Sequence, residues 1–236
     1  MRELDVVYIL KNSWKSRPEE LRYSLRSVER FFPCRMVWFF GGFPPGFEPD
    51  RAVTFMQEGA DRFERVRMTI RRAVETPEVS EDFWLFNDDF FVLDEIREEF
   101  AFDRGEIRKH ALDLYKRHGF HGPYERMLVT TAEQLEEAGY PTKDYTLHLP
   151  LMVNKTVARE ALDTFPAVKS FRCLYGNFSR LESITINDVK TSDITGRPSE
   201  DGVPFFSTSD GAFKSGAAGS AITRKFPTPS RWEVVK

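Results

Sequence analysis

The sequence predicts an α/β layer fold with a mainly parallel sheet flanked by helices, and three observations carry that prediction. The first hundred residues alternate strand-like and helix-like segments in the order β-α-β-β-α-β, the rhythm of strands joined by helical crossovers. The strand-like segments are continuous apolar runs, as expected of strands covered on both faces. The residues with chemical content stand at the ends of those runs, above all Asn87-Asp88-Asp89 after Phe83-Trp84-Leu85-Phe86. That is where open α/β sheets bind ligands.

Composition narrows the function classes. A chain of 236 residues, 41% hydrophobic and 30% charged, has the make-up of a soluble globule and can bury a core as one domain over 1–236. Its 22 Phe residues suggest aromatic packing and flat surfaces for sugar or base rings. A formal charge of −3 gives no whole-molecule attraction to nucleic acid or an anionic membrane. Two cysteines, Cys34 and Cys173, leave room for one disulfide but supply no disulfide framework or metal-type spacing. No stretch approaches the apolar run of a membrane helix and no signal-peptide pattern opens the chain, so the expected location is cytoplasmic.

Leu4–Leu10 reads as the first buried strand, with Lys11 and Asn12 at its carboxyl end. Pro18-Glu19-Glu20 opens a helix, with Pro and acids in the first turn; Leu21, Leu25, Val28 and Phe32 form its buried stripe, and Arg22 and Arg26 lie on a neighbouring face. Arg35–Phe40 is a second strand, ended by Gly41-Gly42, which permits close backbone approach but lacks the spacing and Lys of a phosphate loop. Val53–Met56 is a short third strand. Asp61–Glu75 is a second helix, with Phe63, Val66, Ile70 and Val74 on its inner side and Arg62, Arg65, Arg67, Arg71 and Arg72 on the other.

The run through Phe86 into Asn87-Asp88-Asp89 is the centre of the chain. Two adjacent carboxylates among aromatic side chains repel each other and lose solvation, so a cation should compensate them. A divalent metal carrying a diphosphate would serve, since hard oxygens suit Mg²⁺ or Mn²⁺. The same triplet also fits a turn bonded back to its own backbone, or the cap of a short helix around Leu93–Arg97.

About 101–140 the pattern changes to a helical insertion that could cover a site, with helices over Glu106–His118 and Thr131–Ala138. His110, His118 and His121 have no ligand spacing and read as surface or packing residues. Tyr145–Val153 is strand-like but interrupted by Pro150, with His148 alone between leucines, and Asn154-Lys155 starts a helix reaching Phe165. Phe171–Asn177 and Ile184–Lys190 resemble further strands or strand ends, the second again placing Asn187-Asp188 after an apolar run. Glu200-Asp201-Gly202 reads as a turn, and the tail from Phe213 as a Gly/Ala-rich helix.

Several of these segments together resemble the Stealth family of sugar-phosphate transferases and related phage-encoded glycosyltransferases. They are Asp5-Val6-Val7-Tyr8; Glu20 to Ser27 with Phe86 to Phe91; His148, Pro150 and Lys155; Phe171-Arg172; and Asn187-Asp188. The first block lacks the family's Thr-Trp-Val-Asn continuation, having Ile9-Leu10-Lys11-Asn12. The resemblance implies a GT-A-like (Rossmann-like) catalytic domain, a nucleotide-diphosphate sugar donor with a UDP-sugar expected, and Mg²⁺ or Mn²⁺.

On that resemblance Asp89, assisted by Asp88 or Asn87, would hold the metal against the diphosphate. Arg22 and Arg172 would meet phosphate oxygens, and Lys11, Asn12 and Gly41 would seat the nucleotide. His148 would take the proton of an acceptor hydroxyl. Asp188 would orient that His or ligate the metal. Attack at the anomeric carbon would be glycosyl transfer; attack at the β-phosphorus would be sugar-1-phosphate transfer. A phage setting would suggest modified DNA or a virion protein as acceptor, with a basic patch from the Arg-rich helix and Arg224, Lys225 and Arg231. A non-catalytic glycan- or cation-binding module is the alternative.

Overall fold

The computed structural model of the chain describes residues 2–14, 18–196 and 202–234. In chain order the elements are β1 (Leu4–Leu10), α1 (Glu19–Phe31), β2 (Cys34–Gly41), β3 (Arg51–Thr54), α2 (Arg62–Glu75), β4 (Asp82–Phe86), β5 (Phe90–Val92), β6 (Phe102–Asp103), α3 (Ile107–His118) and α4 (Pro123–Glu137). They continue as β7 (Leu151–Asn154), α5 (Lys155–Thr164), α6 (Phe171–Phe178), β8 (Ile184–Thr185), β9 (Lys190–Thr191), β10 (Phe205–Thr208), α7 (Asp210–Ser215) and α8 (Ala217–Lys225).

The central sheet runs β3-β2-β1-β4-β7, with β3, β2, β1 and β4 mutually parallel and β7 antiparallel to β4. This is the mainly parallel α/β architecture expected from the sequence. The strands are covered on both faces, and their side chains divide by the two-residue period of a strand. Val6, Tyr8 and Leu10 of β1, with Trp84 and Phe86 of β4, pack with Leu21, Leu25 and Val28 of α1. Val7, Phe83 and Leu85 pack instead with Ile70, Ala73 and Val74 of α2. Strand order reverses at β1, since β2 and β3 lie to one side and β4 to the other. A crevice at the carboxyl ends of β1 and β4 follows from that reversal.

Several segments differ from their sequence reading. Phe171–Asn177 is the helix α6, not a strand: Phe171, Leu174, Tyr175 and Phe178 recur at helical spacing, and the short apolar run masked that period. Gly176 belongs there for packing, because a Cβ on it would stand 2.3 Å from the Tyr145 ring. The helix placed at Thr131 starts at Pro123, with Pro in its first turn; Thr131 is interior and its hydroxyl bonds the Met127 carbonyl. The strand from Tyr145 is confined to β7, beyond Pro150. The inner side of α2 is rotated: Thr69, Ile70, Ala73 and Val74 are buried, while Val66 is exposed. No helix forms at Leu93–Arg97. The turn at Glu200-Asp201-Gly202 falls largely outside the described residues.

Cys34 and Cys173 are free thiols. Among the described residues no helix is long and apolar enough to cross a membrane.

Candidate active site

β4 ends at Phe86, and Asn87–Asp89 turn the chain out of the central sheet into β5. Strand β5 joins a second sheet, antiparallel to β10, which in turn pairs in parallel with β9. The turn is fixed from α1. The Ser24 hydroxyl contacts the Tyr8 hydroxyl at 2.8 Å and donates to the Phe90 carbonyl at 2.5 Å. The Ser27 hydroxyl accepts from the Val92 N–H at 2.9 Å. The two halves of the motif Glu20–Ser27 and Phe86–Phe91 therefore touch, one holding the backbone of the other.

This arrangement gathers acids. Burial, with Asp89 and Asp210 nearby, pushes the Asp88 carboxyl up to about 6, against the pull of Lys11. Burial is also the largest cause raising Glu20 to about 8, with Asp210 and Asp89 adding to it and a Thr208 hydrogen bond opposing it. The second sheet brings the counter-charge: Lys190 Nζ lies 2.7 Å from Asp89 Oδ2, and the Ser207 hydroxyl donates to the same oxygen at 3.2 Å. Glu20, Asp210, Lys190 and Ser207 were not singled out from the sequence. Lys190, Ser207 and Asp210 reach Asp88 and Asp89 through pairings across a hundred residues or more, although Lys190 directly follows the Asn187-Asp188-Val189 stretch.

A divalent cation is implied by the resemblance. Among the described residues no group of three or more His, Cys, Asp or Glu side chains stands ready to hold one. Mg²⁺, however, is commonly held by one or two carboxylates, with phosphates and water completing its shell. Burial is the largest cause raising Asp88 and Glu20, and neighbouring acids add to it, so a bound cation would favour the ionised form of both. Asp88 and Asp89 fit that role as hard donors, with Lys190 as the competing cation.

The other predicted residues meet on the α2 side of the crevice. Asn87, His148 and Arg172 line one cavity of about 340 Å³. The His148 Nδ1 lies 2.8 Å from Asp188 Oδ2, while the His148 backbone N–H donates to Asp188 Oδ1 at 3.0 Å. Burial alone would raise the Asp188 carboxyl, but those bonds and Arg104 hold it down at about 2. The ring is thereby fixed in tautomer and orientation, leaving Nε2 for the cavity.

The loop before His148 is also clamped. Asp144 accepts from the Thr146 N–H at 2.8 Å and its hydroxyl at 2.6 Å, and meets His110 Nδ1 at 2.6 Å. Asn177 brackets Lys143 with two bonds, at 2.9 and 2.8 Å. Arg172 sits at the start of α6 with its guanidinium 5.4 Å from the centre of the Phe90 ring. Burial pushes that guanidinium down to about 10, with Asp89 and Asp188 pulling it back up, so it stays charged at neutral pH.

Three expected donor contacts take other roles. The Asn12 side chain is spent on backbone, donating to Phe55 O at 2.6 Å and accepting from Gln57 N at 2.7 Å. Arg22 pairs with Glu19 at 2.8 Å and Glu233 at 3.5 Å, so its charge is directed to the α1 surface and the C-terminal segment. Gly41, at φ +100°, lets β2 pass the end of β1: a Cβ would stand 2.3 Å from Leu10 O. Lys11 alone of this group remains exposed, its Nζ 4.5 Å from the centre of the Trp14 ring.

Part of the basic patch expected for DNA is spent on internal contacts. Arg67 donates to the Leu162, Phe165 and Pro166 carbonyls and Arg71 pairs with Asp163, both tying α2 to α5. The tail helix α8 packs through Ile222 and Phe226 near Tyr23 and Phe31 of α1, on the opposite face of the sheet from α2.

No family model and no curated protein matches the sequence. Among solved structures the chain is similar to a crystal structure of an active-site mutant of LgtC, with a TM-score of 0.43, 11% identity, and coverage of 74% of this chain and 70% of that one. What the site can do therefore rests on its own residues.

Proposed function

We propose that this chain is a GT-A-like transferase that moves a sugar from a nucleotide-diphosphate sugar, a UDP-sugar by expectation, to a hydroxyl acceptor. The observation that carries the reading is the Asp188–His148 pair facing a cavity shared with Asn87 and Arg172, beside the carboxylates that follow β4. Four separate segments of the Stealth-like pattern converge there. Residues 1–236 act as one catalytic domain, and the insertion at about 101–140 supplies Tyr124 and Met127 of α4 to the cavity wall.

In this reading His148 Nε2 accepts the proton of the acceptor hydroxyl as it attacks. Asp188 positions the ring and stabilises the imidazolium that forms. Arg172, buried yet charged at neutral pH, is a fixed cation in the cavity wall that needs no reorganisation to meet an anionic substrate group. Lys11 and Lys190 add cations on the carboxylate side. A Mg²⁺ or Mn²⁺ held by Asp88 and Asp89 would neutralise the leaving diphosphate.

Sugar-1-phosphate transfer, the other reaction the resemblance implies, would use the same groups. The released nucleotide separates the two: a diphosphate marks glycosyl transfer, a monophosphate sugar-1-phosphate transfer. The first test is the melting temperature with nucleotide sugars and Mn²⁺, since donor binding stabilises the fold by mass action. A rise with one nucleotide class, lost in Asp89→Asn, supports a donor site. No rise with any nucleotide sugar contradicts it, and binding without any turnover would mark a glycan- or cation-binding module.

A further inference from the structure

The crevice has two chemically unlike sides. The carboxylates Asp88, Asp89, Asp210 and Glu20 gather on one, with Lys11 and Lys190 set against them. The cavity on the other side is lined by Arg62, Lys169, Arg172 and His148 and, among the described residues, by no carboxylate. Lys169 is paired at the rim, 2.6 Å from Asp61 and 2.8 Å from Glu64. Arg172 is different: its Nη2 is buried and has no hydrogen-bond partner among the described residues. A buried guanidinium N–H without an acceptor costs free energy unless a ligand supplies one.

Two further features point to the same ligand charge. Arg172 belongs to the first turn of α6, where the helix presents its positive end, and Ser170 at the N-cap makes no side-chain cap bond. The walls are aromatic, with Phe63, Phe90, Tyr124 and Phe171 around the cations. The volume of about 340 Å³ lies at the lower end of ligand cavities, roughly 300–1,000 Å³. It suits one substituted ring better than a whole nucleotide sugar.

We propose that this cavity takes the acceptor, and that the acceptor is a monosaccharide-sized ring carrying an anionic group, phosphate or carboxylate, held by Arg172 with Arg62. The assignment rests on the transferase reading above, in which His148 faces the attacking hydroxyl. The donor diphosphate then occupies the carboxylate side, and the two negative substrates are kept apart by Asn87 and Phe90.

Isothermal titration of the full chain without nucleotide tests this, using glucose 6-phosphate, glucuronate and glucose as probes. At least one anionic sugar is expected to bind roughly tenfold or more tighter than glucose, the size of a charge-assisted hydrogen bond. Whichever of the two binds tighter identifies the anion. The preference should vanish in Arg172→Gln and fall severalfold in Arg62→Ala, whose site on the exposed face of α2 leaves folding intact. Equal binding of glucose, no binding of either anionic sugar, or a preference that survives both substitutions overturns the proposal. Competition by UDP that depends on Arg172 also overturns it, because the guanidinium would then serve the donor. Failure of the transferase reading shows separately, as anion-selective binding without nucleotide release from any donor.

Discussion

A lone histidine between leucines is ordinarily a packed core residue. What distinguishes His148 is Asp188, which takes both its backbone N–H and its ring Nδ1 and so leaves one defined nitrogen to the cavity. His148→Ala should lower kcat by roughly 10²–10⁴, the usual contribution of a positioned general base. Asp188→Asn keeps the shape but loses the counter-charge. In steady-state kinetics it should lower kcat by roughly tenfold or more with KM nearly unchanged, whereas a purely structural Asp188 would show as lost stability with normal kcat per folded molecule. His148 and Asp188 were both legible in the sequence as candidates. Their contact was one of the two roles the resemblance implied for Asp188; residue spacing alone could not choose it, because it joins two loops forty residues apart.

At the scale of elements, α1 acts as a clamp on the turn after β4. Ser24→Ala would strand the Phe90 carbonyl and Tyr8 hydroxyl in the core, at a cost of about 1–3 kcal/mol. Urea unfolding should show that loss, and a change near zero would mean the clamp is dispensable. Gly176→Ala should also destabilise the fold, since its methyl would meet the Tyr145 ring at 2.3 Å; a melting temperature equal to wild type would contradict that packing. The main strands and helices of the first hundred residues were readable from their apolar runs; the cap at Asp61, which accepts from Phe63 N and Glu64 N, was seen only in the structure. Phe171–Asn177 was misread because so short a segment fits either period until its partners are known. Asn12 and Arg22 stood at the right positions for a ligand, but nearby backbone and Glu233 had already claimed them.

Across the whole molecule, the acid cluster sets a pH dependence whose sign is fixed by its raised values. Glu20, at about 8, and Asp88, at about 6, hold protons in the folded state that an unfolded chain releases near about 4. Their contribution to stability is full below the unfolded value and is lost as pH rises through about 6 and about 8. Melting temperature should therefore fall between pH 5 and pH 8.5, as approximate bounds of that window, and fall less in Glu20→Gln. Mn²⁺ with a nucleoside diphosphate should restore more stability at the alkaline end, where the carboxylates are ionised. An equal slope in Glu20→Gln would remove that carboxyl from the cluster.

Proton removal by the Asp188–His148 pair should set the rate at which a bound donor sugar passes to a hydroxyl, water included. Chromatography of the nucleotide released from whichever nucleotide sugar stabilises the wild type reads that rate. His148→Ala should bind that donor with an unchanged melting shift while releasing nucleotide roughly a hundredfold or more slowly. Release at the wild-type rate from His148→Ala would remove His148 from the chemistry.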